Sequence, residues 1–162
     1  MSEQRTDRTK ASMKVQDVMV EQVITIDENM SVKQAADIMN QHEIGSIIAV
    51  KNGKVTGIVT ERDFLKRVVA VDKNANKIMV KDVMSTPLTV VSPDTELEEA
   101  TRLMFQKKIK KLPVVNKDGL VGIVSLTDIA RFQPALIKIL QVFAASQNPP
   151  KSMKKILDYY IV

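Results

Sequence analysis

The chain has 162 residues, 44% hydrophobic and 27% charged, the proportions of a soluble globular protein with room for one domain or two small units folded together. It has no cysteine, which excludes disulfides, thiolate chemistry and sulfur-bound metals and fits a cytoplasmic home. Lys and Arg outnumber Asp and Glu by 24 to 19, a balance that attracts polyanions and phosphorylated ligands, while four Phe, two Tyr and no Trp supply little for a base-stacking platform.

Residues 1–13 are polar and mixed in charge, without the apolar stretch of a signal peptide or anchor, and read as a flexible arm. From there one pattern is written twice, at an offset of 65 residues. Val18-Met19 returns as Val83-Met84, Ala35 and Met39 as Ala100 and Met104, and Ile44 as Ile109. Gly57-Ile58-Val59 returns as Gly122-Ile123-Val124, and Asp63 as Asp128.

The first repeat, 14–70, opens on an extended segment, Val23 to Ile26, followed by a helix with Val32, Ala35, Ile38 and Met39 on one face. A strand from Ile47 to Val50 meets Asn52-Gly53, a strong hairpin signal. The chain returns from Val55 to Thr60, and a second helix starts at Glu61. A polar linker, 71–79, leads to the second repeat, 80–133. That repeat has an extended segment Leu88 to Val91 and a helix with Leu97, Ala100, Leu103 and Met104. Thr95-Glu96-Leu97-Glu98 gives its start a capping-box pattern. A strand Leu112 to Val115, a turn at Asp118-Gly119, a return Leu120 to Ser125 and a helix from Leu126 complete it. In the tail, 134–162, Pro134 opens a helix to about Ala145, and Asn148-Pro149-Pro150 ends it. A last helical piece over 152–160 carries Met153, Ile156, Leu157 and Tyr160 on one face. The expected fold class is therefore α/β (α+β), with two β-α-β-β-α units and C-terminal helices. A unit of roughly 60 residues buries only about 60% of its unfolded surface and is marginal alone, so the copies are expected to pair.

Thr60-Glu61-Arg62-Asp63 and Ser125-Leu126-Thr127-Asp128 stand where a strand ends and a helix begins. Helix-start N–H groups favour an anion there. A hydroxyl at Thr60 or Ser125 has the chemistry to bond a phosphate oxygen, and the Asp63 or Asp128 carboxylate to accept two hydrogen bonds from a ribose diol. The same spacing also makes an ordinary helix cap, and the two readings are compatible. Lys107-Lys108-Ile109-Lys110-Lys111 suits the end of a helix, where lysines complement the dipole. The first repeat has uncharged Gly45 and Ser46 where the second has Lys110 and Lys111. His42 is the lone histidine and has no clustered ligands, so no metal site is expected. No nucleophile–base pair, Walker-type loop or Gly-x-Gly-x-x-Gly is present. Asp63 and Asp128 belong to separate repeats and make no acid–base dyad. The chain reads as no enzyme, with no catalytic residues or catalytic cofactor.

Several of these features, in order and in duplicate, resemble the cystathionine β-synthase (CBS) domain family over about residues 14–132. They are Asp17-Val18-Met19 and Asp82-Val83-Met84, the Ala-x-x-x-Met helices, Leu112-Pro113-Val114-Val115, and Gly-Ile-Val-(Thr/Ser)-x-x-Asp twice. The first repeat departs from that pattern at Ile48, where the second has Pro113. The resemblance implies a pseudo-two-fold pair, often called a Bateman module, with two clefts for adenosine compounds: AMP, ADP, ATP or S-adenosylmethionine. It also implies a homodimer built as a four-repeat disk. Lys110, Lys111, Thr60 and Asp63 are then expected in the more phosphate-friendly cleft, and Gly45, Ser46, Ser125 and Asp128 in the other. Ile24, Thr25, Thr89, Val90, Ile58 and Ile123 are core residues that also suit the walls of an adenine pocket. The expectation is a regulatory ligand sensor that signals to an effector of unknown kind, without membrane insertion. Two alternatives stand beside it: a basic nucleic-acid-binding protein using Lys107 to Lys111 with Lys151, Lys154 and Lys155, and a dimerisation module with empty clefts.

Overall fold

Ser31 starts the first helix by a reciprocal cap. Its hydroxyl accepts the Gln34 N–H at 3.1 Å, and the Gln34 side-chain oxygen accepts the Ser31 N–H at 2.9 Å. The helix, α1 (Val32–Gln41), buries Val32, Ala35 and Met39, one stripe of a 3.6-residue period. Beneath it β1 (Thr25–Asp27) runs parallel to β2 (Ser46–Lys51), and β2 runs antiparallel to β3 (Lys54–Thr60). The hairpin closes on Asn52 and Gly53 at φ 50° and 75°, the two positive angles a type I′ turn requires. Helix α2 (Glu61–Arg67) follows β3 without a break. The second repeat gives α3 (Leu97–Lys107), a hairpin of β4 (Lys111–Asn116) and β5 (Gly119–Ser125), and α4 (Leu126–Phe132). Strands β3 and β5 meet at the centre, which makes the architecture α+β with the repeats related by a pseudo-two-fold. The structure, a computed structural model, describes residues 12–136 together with 138 and 142.

Local details depart from the sequence expectations, each for an identifiable reason. The extended segment Leu88 to Val91 reduces to one parallel bridge, Val91 to Val114, where the first repeat has a three-residue strand. In the first repeat the Glu28 N–H bonds Val50 O, but its counterpart is Pro93, and Ile48 is replaced by Pro113. Neither proline has an N–H to extend the ladder. The expected Thr95–Glu98 capping box does not form. Thr95 instead accepts the Ser92 N–H at 3.1 Å, and Glu96, which makes no side-chain cap, is the N-cap. The second hairpin turns on Lys117 and Asp118 rather than on Asp118-Gly119, because Gly119 already pairs with Asn116 and takes the positive φ of 117°.

The two cores are exchanged between the repeats. Val15 and Val18, which precede the first repeat's strands, are buried among Leu97, Met104, Leu112 and Ile129 of the second. Val80 and Val83 are buried among Ile26, Val32, Met39 and Ile47 of the first. The backbone bonds are reciprocal: Val15 N–H to Thr95 O and Val80 N–H to Met30 O, both 2.9 Å, then Val20 with Ile123 and Ser85 with Ile58 in both directions. Two glycines make room for this. A Cβ on Gly122 would lie 2.6 Å from Met19 Sδ, and one on Gly57 would collide with Met84 Sδ. The duplicated Val-Met and Gly-Ile-Val motifs are therefore two halves of one contact, made across the repeats.

This arrangement corrects one boundary. Residues 12 and 13 belong to no free arm, since Met13 O accepts the Leu97 N–H and Ser12 Oγ bonds Glu96. Residues 1–11 lie outside the described residues. The linker is docked as well: Ala75 O and Ile78 O accept N–H bonds from Lys33 and Val32 at the head of α1. Of the expected tail helices, Leu136 is buried in the second core. Beyond residue 136, apart from 138 and 142, the tail lies outside the described residues. Among the described residues no helix is long and apolar enough to cross a membrane.

Candidate functional site

Thr60 ends β3 and caps α2. Its N–H and hydroxyl both donate to Asp63 Oδ2, at 2.9 and 2.8 Å, while its oxygen accepts the Asp63 N–H at 3.3 Å. The other carboxylate oxygen, Oδ1, lies 3.6 Å from Arg67 Nη1. Arg67 also donates to Val83 O and Met84 O, so it anchors the exchanged segment beside the carboxylate. Ser125 and Asp128 repeat the cap at the head of α4, with distances of 3.2, 2.5 and 3.1 Å. At that end Phe132 replaces Arg67 and is exposed.

The helix starts are less open to an anion than the sequence suggests. The Glu61 N–H bonds Gly45 O and the Leu126 N–H bonds Lys110 O, while the Asp63 and Asp128 N–H groups are taken by their caps. Charged side chains therefore add to what backbone N–H groups remain for an anion. A cleft of about 530 Å³ supplies them. Gly45, Ile58 and Thr60 to Asp63 form its wall from the first repeat. Ser85, Pro87 to Thr89, Lys108 to Lys111 and Pro113 form the opposite wall. The volume is within the roughly 300–1,000 Å³ of small-molecule sites.

Lys111 stands at the pseudo-dyad. Its Nζ donates to Ser46 Oγ at 2.9 Å, and Ser46 is the residue 65 positions earlier, its own repeat counterpart. Burial holds the Lys111 ammonium below the ordinary lysine range. The carboxylates of Asp128 and Glu61 oppose that shift, and the charge of Lys110 adds to it. One lysine thus feels acidic groups of both repeats.

Thr60, Asp63, Lys110, Lys111, Ile58 and Thr89 all line this cleft. Gly45 lines it too, which corrects its assignment to the other one. It precedes β2, whose first residue pairs with Thr60, and so it lies beside its own repeat's Glu61. Ser46 is buried and bonded to Lys111 rather than kept apart from it. Ser125, Asp128 and Ile123 are not among the lining residues, although Ser125 pairs with Lys111 and Asp128 acts on it. Ile24 packs against the first core, Thr25 pairs with Ile48, and Val90 is exposed. Sequence reasoning did not single out Glu61, Arg62, Ser85, Pro87, Leu88, Lys108, Ile109 or Pro113 as lining residues. Of these, Glu61, Arg62, Lys108, Ile109 and Pro113 stood inside motifs already noted, whereas Ser85, Pro87 and Leu88 carried no signal.

Comparison with known proteins gives a consistent picture. A CBS domain family model matches residues 15–70 and 80–135. The CBS domain-containing protein YhcV of Bacillus subtilis is 40% identical over 116 residues, 72% of this chain and 82% of that protein. The CBS domain pair of protein MJ0100, solved with 5′-methylthioadenosine and S-adenosyl-L-methionine, is 28% identical with a TM-score of 0.68. That match covers 76% of this chain and 98% of the other. A hexameric CBS-CP12 protein from bloom-forming cyanobacteria is 27% identical with a TM-score of 0.71, covering 80% and 76% of the two chains.

Proposed function

The chain belongs to the CBS domain family as a tandem pair, and from that membership we propose a non-catalytic regulatory module that binds an adenosine-containing ligand (AMP, ADP, ATP or S-adenosylmethionine) in the cleft between its repeats. One observation carries the reading: a capped carboxylate, Asp63, faces three lysines of the other repeat across a cavity of ligand size. In this reading Asp63 accepts ribose hydroxyls through Oδ1, since Oδ2 already serves Thr60. Lys110 and Lys111 hold phosphate, and Ile58, Leu88 and Ile109 flank the base.

Because both repeats wall the cleft, ligand affinity depends on their relative placement, and a ligand shifts that placement only by its differential affinity. The exposed Leu65, Val69 and Val71 on and after α2 serve as a homodimer face, and the dimer presents a ligand-dependent surface to an effector in the cytoplasm. The adenosine compounds bound by protein MJ0100 support the ligand class, and the hexameric CBS-CP12 protein supports assembly. Thermal-shift and calorimetric titration of the full chain with AMP, ADP, ATP and S-adenosylmethionine is the test. Ligand at 100 times its dissociation constant should add about 2.7 kcal/mol of stability. Asp63→Asn should weaken ribonucleotides while leaving 2′,3′-dideoxy analogues unaffected. If none of the four compounds moves the melt, the adenosine reading is wrong.

A further inference from the structure

The cleft containing Thr60 and Asp63 is charged in a way its repeat counterpart is not. Arg62, Lys108, Lys110 and Lys111 line it, against the carboxylates of Glu61 and Asp63. The residues 65 positions away from those four cations are Thr127, Glu43, Gly45 and Ser46. Lys108 and Glu43 both adopt left-handed backbone, at φ 56° and 53°, so their side chains leave the chain in the same way. The duplication has therefore reversed a charge without changing the backbone that presents it.

Four cations in the cleft stand against two lining carboxylates, Glu61 and Asp63, and Asp63 already has Arg67 for a partner. Asp128 also acts on Lys111. A Cβ on Gly45 would lie 3.5 Å from Glu61 Oε2 and 3.8 Å from Lys111 Nζ, so the missing side chain keeps backbone open between those two charges. Lys111 donates to a neutral hydroxyl, Ser46. A phosphate oxygen is a stronger acceptor for an ammonium than a hydroxyl, because the bond is charge-assisted. Each phosphoryl group added to a ligand brings more negative charge and more such oxygens, while S-adenosylmethionine, with a sulfonium, an ammonium and one carboxylate, is a net cation.

We infer that this cleft selects a nucleoside di- or triphosphate over the monophosphate and over S-adenosylmethionine. The inference rests on the adenosine reading above and narrows it. Lys108, Lys110, Lys111 and Arg62 line one cleft, more cations than a single phosphate group requires.

Calorimetric titration of the full chain with AMP, ADP, ATP, inorganic triphosphate and S-adenosylmethionine, in magnesium-free buffer at low and high salt, tests it. ATP is expected to bind at least roughly tenfold more tightly than AMP at low salt, with the ratio shrinking as salt screens the lysines. Arg62→Thr, Lys108→Glu, Lys110→Gly and Lys111→Ser together replace all four cations by the residues 65 positions away. That variant should bring ATP to within about threefold of AMP, since the four cations are gone. Lys108→Glu alone, at an exposed site whose backbone Glu43 already adopts, should lower the ratio without disturbing the fold. Equal affinities for AMP and ATP, or tightest binding of S-adenosylmethionine, would overturn the inference and leave the adenosine reading standing. Binding of inorganic triphosphate but of no adenosine compound would overturn both the adenosine reading and the inference. If neither binds, both fail.

Discussion

At the scale of single residues, the decisive contacts are between motifs that the sequence lists separately. Gly57 and Gly122 have methionine sulfur over the site where a side chain would stand. Gly122→Ala should therefore destabilise the protein by about 1–3 kcal/mol, the usual cost of overpacking. Met19→Ala should recover part of that loss in the double variant, as a denaturant double-mutant cycle would reveal. Purely additive losses would mean the pair does not touch. Lys111 allows a prediction of sign. Its pKa lies below the ordinary value because burial disfavours the ammonium. Below the folded value the full penalty applies. Between the folded and the ordinary value the unfolded chain binds more protons, so stability rises with pH, and above both the penalty is gone. Lys111→Met should accordingly stabilise the ligand-free protein at neutral pH, by a margin that narrows as pH climbs toward about 10. Unfolding curves from pH 7 upward check this, and a Met variant weaker than wild type at pH 7 would contradict it. Asp63, Asp128 and the lysine run were readable as chemistry. That Lys111 bonds its own counterpart was not, because side-chain reach across a dyad leaves no periodic trace.

At the scale of elements, hydrophobic periodicity and hairpin signals located both helix starts and the one hairpin of each repeat to within about two residues, the usual uncertainty of such boundaries. What failed was ownership. A pattern repeating every 65 residues says nothing about whether Val15 packs within its own copy or the next, since either choice buries the same valine. The structure chooses the other copy for Val15, Val18, Val80 and Val83 alike. A fragment that starts at residue 21 would lack Val15 and Val18, whose burial contributes about 1.5–3 kcal/mol each. That is much of the stability of a small domain. Amide exchange on such a fragment should show protection lost first in α3, β4 and α4, with α1 and β2 retained longer. Even loss across both repeats would argue against the exchange. The prolines at 93 and 113 were visible from the start, but their joint effect on one short strand needed the pairing partner to be known.

At the scale of the whole molecule, the cleft draws its walls from both repeats, so a bound ligand should protect both together. Saturating ATP is expected to slow amide exchange at Thr60 to Asp63 and at Thr89 and Lys108 to Lys111 in parallel. Protection confined to one repeat would mean that the ligand does not bridge them. The architecture and the place of a candidate cleft were legible because duplication supplied each signal twice. Its inequality was legible only as a list of substitutions, and needed coordinates to become a charge distribution. The exchanged segments also set a timetable. On the ribosome Val15 is made while its partners Leu97 to Ile129 are still unmade, and the first repeat waits for Val80 and Val83 before its own core closes. Neither half completes as it emerges, so the chain must carry an open core until Ile129 has been synthesised, and the final seal engages Val15 and Val18, made long before it.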